Sequence, residues 1–151
     1  MIRHLLPALL LLAALPVNAT PCGPGNLTGK VTYVRDGDEI ELDGVFLIRL
    51  QGVAAPTLDE PGGVRATAAL REMVLGEAVR CELSGWQSLE LCVAICYLKG
   101  GDVAAKLVSN GLARDCVRYS GGRYEAIEQH AGEAGATIKQ TYRLPGYCSR
   151  P

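Results

Sequence analysis

Residues 34–56, VRDGDEIELDGVFLIRLQGVAAP, constrain the fold of this chain more than any other stretch. Asp36-Gly37-Asp38 is a tight-turn signature, because Asp bonds its own backbone and Gly tolerates left-handed conformations. Glu39-Ile40-Glu41-Leu42 alternates polar and apolar side chains, as a half-buried strand does. Asp43-Gly44 is a strong hairpin turn. Residues 45–53 then read as one long, mostly apolar strand, buried on much of both faces. Arg49 interrupts that strand, and a buried arginine needs a partner. The partner is either Asp38 or Glu39, in a structural pair, or a bound anion.

The amino-terminal end narrows the class. Residues 1–19 start with Arg3 and His4, run apolar from Leu5 to Leu15 and close on Val17-Asn18-Ala19. This is the anatomy of an export signal cleaved after Ala19. The apolar run is too short to persist as a membrane anchor, so no stable membrane insertion is expected. The mature chain, residues 20–151, is expected to form a single domain, secreted or periplasmic, with enough length to bury one core. It retains Cys22, Cys81, Cys92, Cys96, Cys116 and Cys148. An even number of cysteines in an exported protein implies disulfides, and six leave fifteen pairings open. Zinc is the competing reading, but Cys92-x-x-x-Cys96 has no second close pair to complete a ligand set. Of 15 Lys and Arg, Arg3 leaves with the signal, so 14 face 16 Asp and Glu. Proteins that grip nucleic acid nonspecifically are usually basic, and the bulk charge does not predict such a role.

The remaining punctuation gives the architecture. Residues 27–34 read as a strand, and residues 56–63 as a loop rich in Pro and Gly. A helix is expected over 64–75, with Val64, Ala66, Ala69, Leu70, Met73 and Val74 facing inward. A second hairpin spans 78–98. Asp102 caps a helix over 103–110, a third helix is expected over 124–133, and residues 137–151 show no usable periodicity. Three strands, a helix, two strands and two more helices suit an α+β fold, a five-stranded OB-type β-barrel with three helices.

Several segments together resemble the staphylococcal-nuclease-like (thermonuclease-like) family. The opening resembles its V-x-D-G-D-T, hairpin and F-R-L-x-x-[VI]-D-[TA]-P-E. Val93-Ala94, Tyr97, Gly100 and Asp102-Val103 resemble V-A-x-x-Y-x-x-G-x-x-V. Lys106 to Ala113 resembles the family's L-V-x-x-G-L-A helix end. Arg118-Tyr119-Ser120, with Tyr124 and Glu125, resembles the exported, cysteine-bearing branch. The resemblance covers residues 27–133 and implies the same barrel. The branch also implies a Cys81–Cys96 pair across the second hairpin. Cys22–Cys148 is expected as a terminal tie, which leaves Cys92–Cys116.

Phosphodiester hydrolysis needs a hard cation on oxygen ligands, a carboxylate that activates water and guanidinium groups that clamp phosphate. The resemblance places Asp38, with its neighbour Asp36, at the metal-binding aspartates and Arg49 at the first phosphate-binding arginine. It places Tyr119 at a substrate-binding tyrosine. Beyond these the family's pattern fails. Ala54 stands at the second metal-ligand aspartate and Thr57 at the water-activating glutamate. Ala55 stands at a position that contributes a backbone carbonyl. Leu91 stands at the second arginine, Ser88 at a substrate-contacting lysine and Val117 at a second tyrosine. Asp59 and Glu60 are the carboxylates available as substitutes.

Turn geometry accounts for Asp36 and Asp38 without chemistry. His130, beside Glu128 and Gln129, reads as a solvated side chain. Trp86 and Tyr119 suit base stacking or plain packing. The expectation is therefore a thermonuclease-like domain that is catalytically inactive and acts as a binding module. Its implied partner is single-stranded nucleic acid or another anionic ligand, and no cofactor is expected. The alternative is an active metal-dependent nuclease using Ca2+ with Asp36, Asp38, Arg49 and Asp59 or Glu60. A structural scaffold of the cell envelope is the third possibility.

Overall fold

Turn chemistry sets the first hairpin. In the computed structural model, which describes residues 22–149, Asp43 and Gly44 both take left-handed conformations, with φ of 54° and 68°. The expected signal segment, residues 1–19, lies outside the described residues. β2 (Glu39–Leu42) and β3 (Phe46–Leu50) fold back on each other, with Ile40 opposite Ile48 and Glu39 opposite Arg49. β1 (Gly25–Asp36) outruns the expected strand at both ends and curls along β2 through two register shifts. Its first half pairs with β5 (Ala78–Ser88), which turns at Leu89-Glu90 into β6 (Leu91–Leu98). β6 lies parallel to β3, with Ile48 beside Cys92 and Leu50 beside Ala94, and this pairing closes five strands into a ring. A short β7 (Gly101–Asp102) pairs with β6 outside the ring.

The expected continuous strand over residues 45–53 breaks at Gln51-Gly52. The chain turns there, and β4 (Val53–Ala54) pairs instead with β8 (Arg114–Asp115). Gly52 has φ of +77°, and a Cβ at this position would lie 2.7 Å from Ser120, so the turn admits only glycine.

Val31, Val34, Ile40, Leu42, Ile48 and Leu50 fill the interior of the ring. Each such buried side chain contributes about 1.5–3 kcal/mol by leaving water. α1 (Gly63–Val74) covers the core through Ala66, Leu70 and Val74. Val64 departs from the expected inward face and is 68% exposed, because the buried stripe runs through Gly63, Ala66, Thr67, Leu70 and Val74 and leaves position 64 beside it. α2 (Val103–Ser109) is capped by Asp102, whose carboxylate accepts from the Ala105 amide at 3.1 Å.

Five α-helices replace the expected three among the described residues. α3 (Val117–Ser120) is one turn long. The expected helix over 124–133 divides into α4 (Glu125–Gln129) and α5 (Gly132–Thr141), because Gly132 takes φ of +61°, which a right-handed helix cannot continue. α5 is amphipathic only through Gly135 and Ile138, too sparse a pattern to read. No helix among the described residues is long and apolar enough to cross a membrane.

A second, smaller cluster gathers Ala54, Cys116, Ile138, Tyr142 and Cys148. It docks the carboxyl-terminal segment beside β4. Three disulfides bind the structure: Cys81–Cys96 across β5 and β6, Cys22–Cys92 and Cys116–Cys148. The last two differ from the expected Cys22–Cys148 and Cys92–Cys116, and register explains why. Gly25 pairs with Leu83, so the preceding residues run towards the hairpin end where Gln87 pairs with Cys92. Cys22 therefore meets Cys92, and Cys148 is left for Cys116 at the start of α3.

Peptide mapping without reductant should recover these three pairs, and a Cys22–Cys148 peptide would contradict them. Replacing Cys116 and Cys148 with serine should lower stability by about 2–4 kcal/mol in denaturant titration.

Candidate functional site

The turn between β1 and β2 positions the first site residue. A Cβ on Gly37 would come within 2.7 Å of the Ala55 methyl and 2.9 Å of Ala66, so close packing as well as turn geometry selects glycine. Asp38 follows, buried, and its carbonyl accepts the Leu50 amide at 2.9 Å. Its carboxylate oxygen Oδ2 accepts the Ala55 amide at 3.2 Å and Arg49 Nη2 at 3.2 Å. Cross-strand register brings Glu39 to the same arginine, whose Nη1 donates to Glu39 Oε1 at 3.1 Å. A third donation from Arg49 Nη2 reaches the Tyr147 hydroxyl at 3.4 Å.

The pairing extends along the strands. Arg35 lies 3.7 Å from Glu39 and 2.7 Å from Glu90. Glu90, Arg35, Glu39, Arg49 and Asp38 thus alternate in sign as one chain of ion pairs. Burial pushes the Asp38 carboxyl from 3.8 up to about 6, against the pull of Arg49 and the Ala55 amide; Glu39 and Asp36 raise it further. Tyr142, buried nearby, is held well above its ordinary phenol value by burial first, then by Glu60 and Asp38.

The other sequence candidates fall elsewhere. Asp36 Oδ1 accepts the Gly37 amide at 2.8 Å and the Thr67 hydroxyl at 3.4 Å, so it serves the turn and α1. Asp59 Oδ1 accepts from the Thr57 hydroxyl at 2.7 Å, and Glu60 Oε2 from the Thr57 amide at 2.8 Å. That bond to Thr57 is the main reason the Asp59 carboxyl sits below its ordinary range. Ala54 lies in the apolar cluster with Tyr142 and Cys148, and Leu91 is buried. The His130 ring bonds the Ala126 carbonyl at 2.7 Å on an exposed helix end.

A calcium ion takes six to eight oxygen ligands. The residues present do not fit one: Asp38 is a single carboxylate already shared with Arg49 and the Ala55 amide, and its neighbour Ala54 faces an apolar wall. Among the described residues no group of three or more His, Cys, Asp or Glu is arranged to hold a metal.

Beside Arg49 opens a cleft of about 590 Å³ between the β3–β4 turn, the tip of the β5–β6 hairpin, α3 and the carboxyl-terminal segment. Trp86, Tyr119 and Tyr147 line it edge to face, with ring centres 6.2 and 6.4 Å apart. Tyr147 is the residue that sequence reasoning missed. Its neighbour Cys148 was the available signal, since a disulfide there ties the segment back to the barrel.

A family model described as staphylococcal nuclease homologue matches residues 47–140. No curated protein matches the chain.

The raised Asp38 value has a consequence for stability. The folded chain holds this proton more tightly than the unfolded one, so the contribution is full below pH about 4 and is lost as pH rises through about 6. Thermal melts from pH 4 to 7 should show Asp38→Asn gaining stability relative to the parent as pH rises. Parallel curves would contradict the assignment.

Proposed function

The chain belongs to the staphylococcal nuclease homologue family, and on that premise we propose that it is an exported member that does not hydrolyse phosphodiesters and acts by binding. The observation that carries this reading is the closure of Arg49 on Asp38 and Glu39. A hydrolytic site needs a guanidinium directed at phosphoryl charge and a cation held by several oxygens. Here the guanidinium is directed at the chain's own carboxylates, and Asp59 and Glu60 bond Thr57 rather than replacing the missing ligands. A lost general base removes about 10²–10⁴-fold in rate, and a lost transition-state donor roughly 10²–10³-fold. The two effects are not additive when residues act as a unit, yet either alone leaves little turnover.

Binding is assigned to the cleft beside Arg49, whose half-exposed rings are its main recognition surface. The three disulfides fit an oxidising compartment. Export through residues 1–19 to the periplasm or the medium, and a single domain over residues 20–151, are parts of the same proposal. Single-stranded nucleic acid or another anionic ligand is the partner class implied by the family. Bases would reach Trp86 and Tyr119, while the paired Arg49 offers their phosphates little to grip.

The test is an incubation of the exported, disulfide-bonded chain with single-stranded DNA and RNA, in calcium and then in chelator. The expected result is no cleavage above the protein-free control. Chelator-sensitive cleavage that disappears in Asp38→Ala would overturn the proposal.

A further inference from the structure

The cleft combines three properties that together define a ligand. Its volume, about 590 Å³, lies inside the range of small-molecule sites. Trp86, Tyr119 and Tyr147, each between 38% and 53% exposed, present aromatic surface at its walls. Gln51, Gln87 and Ser88 supply amide and hydroxyl groups along the same walls, with Gln87 Nε2 also donating to Cys22 Sγ at 3.3 Å. Gln51 Nε2 donates to the Tyr119 carbonyl at 3.4 Å, and its amide oxygen has no partner among the described residues.

Charge then decides between ligand classes. Among the described residues Arg49 is the single cation lining the cleft, and its guanidinium is held by Asp38 and Glu39. A polyanion draws most of its nonspecific affinity from unpaired Lys and Arg, and the described residues lining this cleft offer none. Among the described residues no carboxylate lines the cleft to hold a cation. A purely apolar ligand would leave the Gln and Ser groups without hydrogen bonds, which costs affinity. The ligand that meets every constraint is uncharged, with apolar ring faces and hydroxyl edges.

We infer that the cleft lined by Trp86, Tyr119 and Tyr147 binds an uncharged saccharide chain. The pyranose faces lie on the aromatic rings through their C–H groups, and the hydroxyls exchange hydrogen bonds with Gln51, Gln87 and Ser88. Amides and hydroxyls both donate and accept, as sugar hydroxyls do, so the match needs no charge. This inference rests on the binding-module reading and names the ligand class for that site.

The molecule carries its own reporter, because Trp86 is the sole tryptophan of the chain and lies in the cleft. The exported chain is titrated with cellohexaose, chitohexaose and maltohexaose while Trp86 emission is recorded. Thymidine and a single-stranded oligothymidylate are the comparison ligands. At least one hexaose is expected to give a saturable change, unaltered between about 50 and 500 mM salt, because no counterions are released. Tyr119→Ala should weaken that binding by about tenfold or more, with the far-ultraviolet circular dichroism unchanged. Trp86→Ala should do the same by calorimetry.

No saturable response to any hexaose at millimolar concentration would overturn the inference. So would an affinity that Tyr119→Ala leaves unchanged. Saturable, salt-sensitive binding of oligothymidylate with none of the hexaoses would assign the cleft to nucleic acid, sinking the saccharide but leaving the binding module standing. Cleavage of the oligothymidylate would instead sink the binding-module reading itself.

Discussion

The contact between the buried Asp38 carboxylate and the Arg49 guanidinium ties the β1–β2 turn to β3, and through these two residues to the β3–β4 corner, β2 and the carboxyl-terminal segment. Asp38 receives the Leu50 amide on its carbonyl and the Ala55 amide on its carboxylate, so one residue fastens the β1–β2 turn to both sides of the β3–β4 corner. Arg49 adds Glu39 from the neighbouring strand and Tyr147 from the carboxyl-terminal segment. Removing Arg49 leaves the buried Asp38 charge stranded, at a cost of about 3–5 kcal/mol. The barrel corner, the wall of the cleft and the position of the final segment therefore share one electrostatic knot. The same knot spends the charge that an anionic ligand would need.

The carboxyl-terminal segment is the second determinant. Ile138, Tyr142 and Cys148 pack on Ala54 and Cys116, so the chain seals the surface beside Asp38 with its own apolar side chains. Ala54, 1% exposed, is enclosed by these side chains, so a larger residue there would have to displace the segment. The Cys116–Cys148 disulfide holds the segment in place and sets Tyr147 against Tyr119 and Arg49. On the proposed reading, aromatic surface and a satisfied ion-pair chain stand where hydrolysis would need free charge.

Much of the barrel was legible because its signals are local. Asp43-Gly44 marks a turn, Glu39 to Leu42 alternates, and Asp102 caps α2, each through neighbours in sequence. What escaped depends on distant contacts. The glycine at the Gly52 break is required by close approach to Ser120, some seventy residues along the chain, and no local pattern announces that contact. Residues 132–141 form α5 with little periodic signal, because only Gly135 and Ile138 of that helix are buried. Disulfide partners followed from strand register rather than spacing, so Cys22 was paired wrongly by sequence. In the site, both carboxylate partners weighed for Arg49 are engaged at once. Tyr147 had only its neighbour Cys148 to announce it, because it arrives through a disulfide from a segment without periodicity.

The most direct test of the closed site is a calorimetric titration of the disulfide-bonded chain with calcium. Calcium must compete with Arg49 for Asp38 and finds too few oxygens beside it. The account predicts no saturable heat up to about 1 mM, the weak end of protein calcium sites. Saturable binding well below that concentration, abolished in Asp38→Ala, would contradict it.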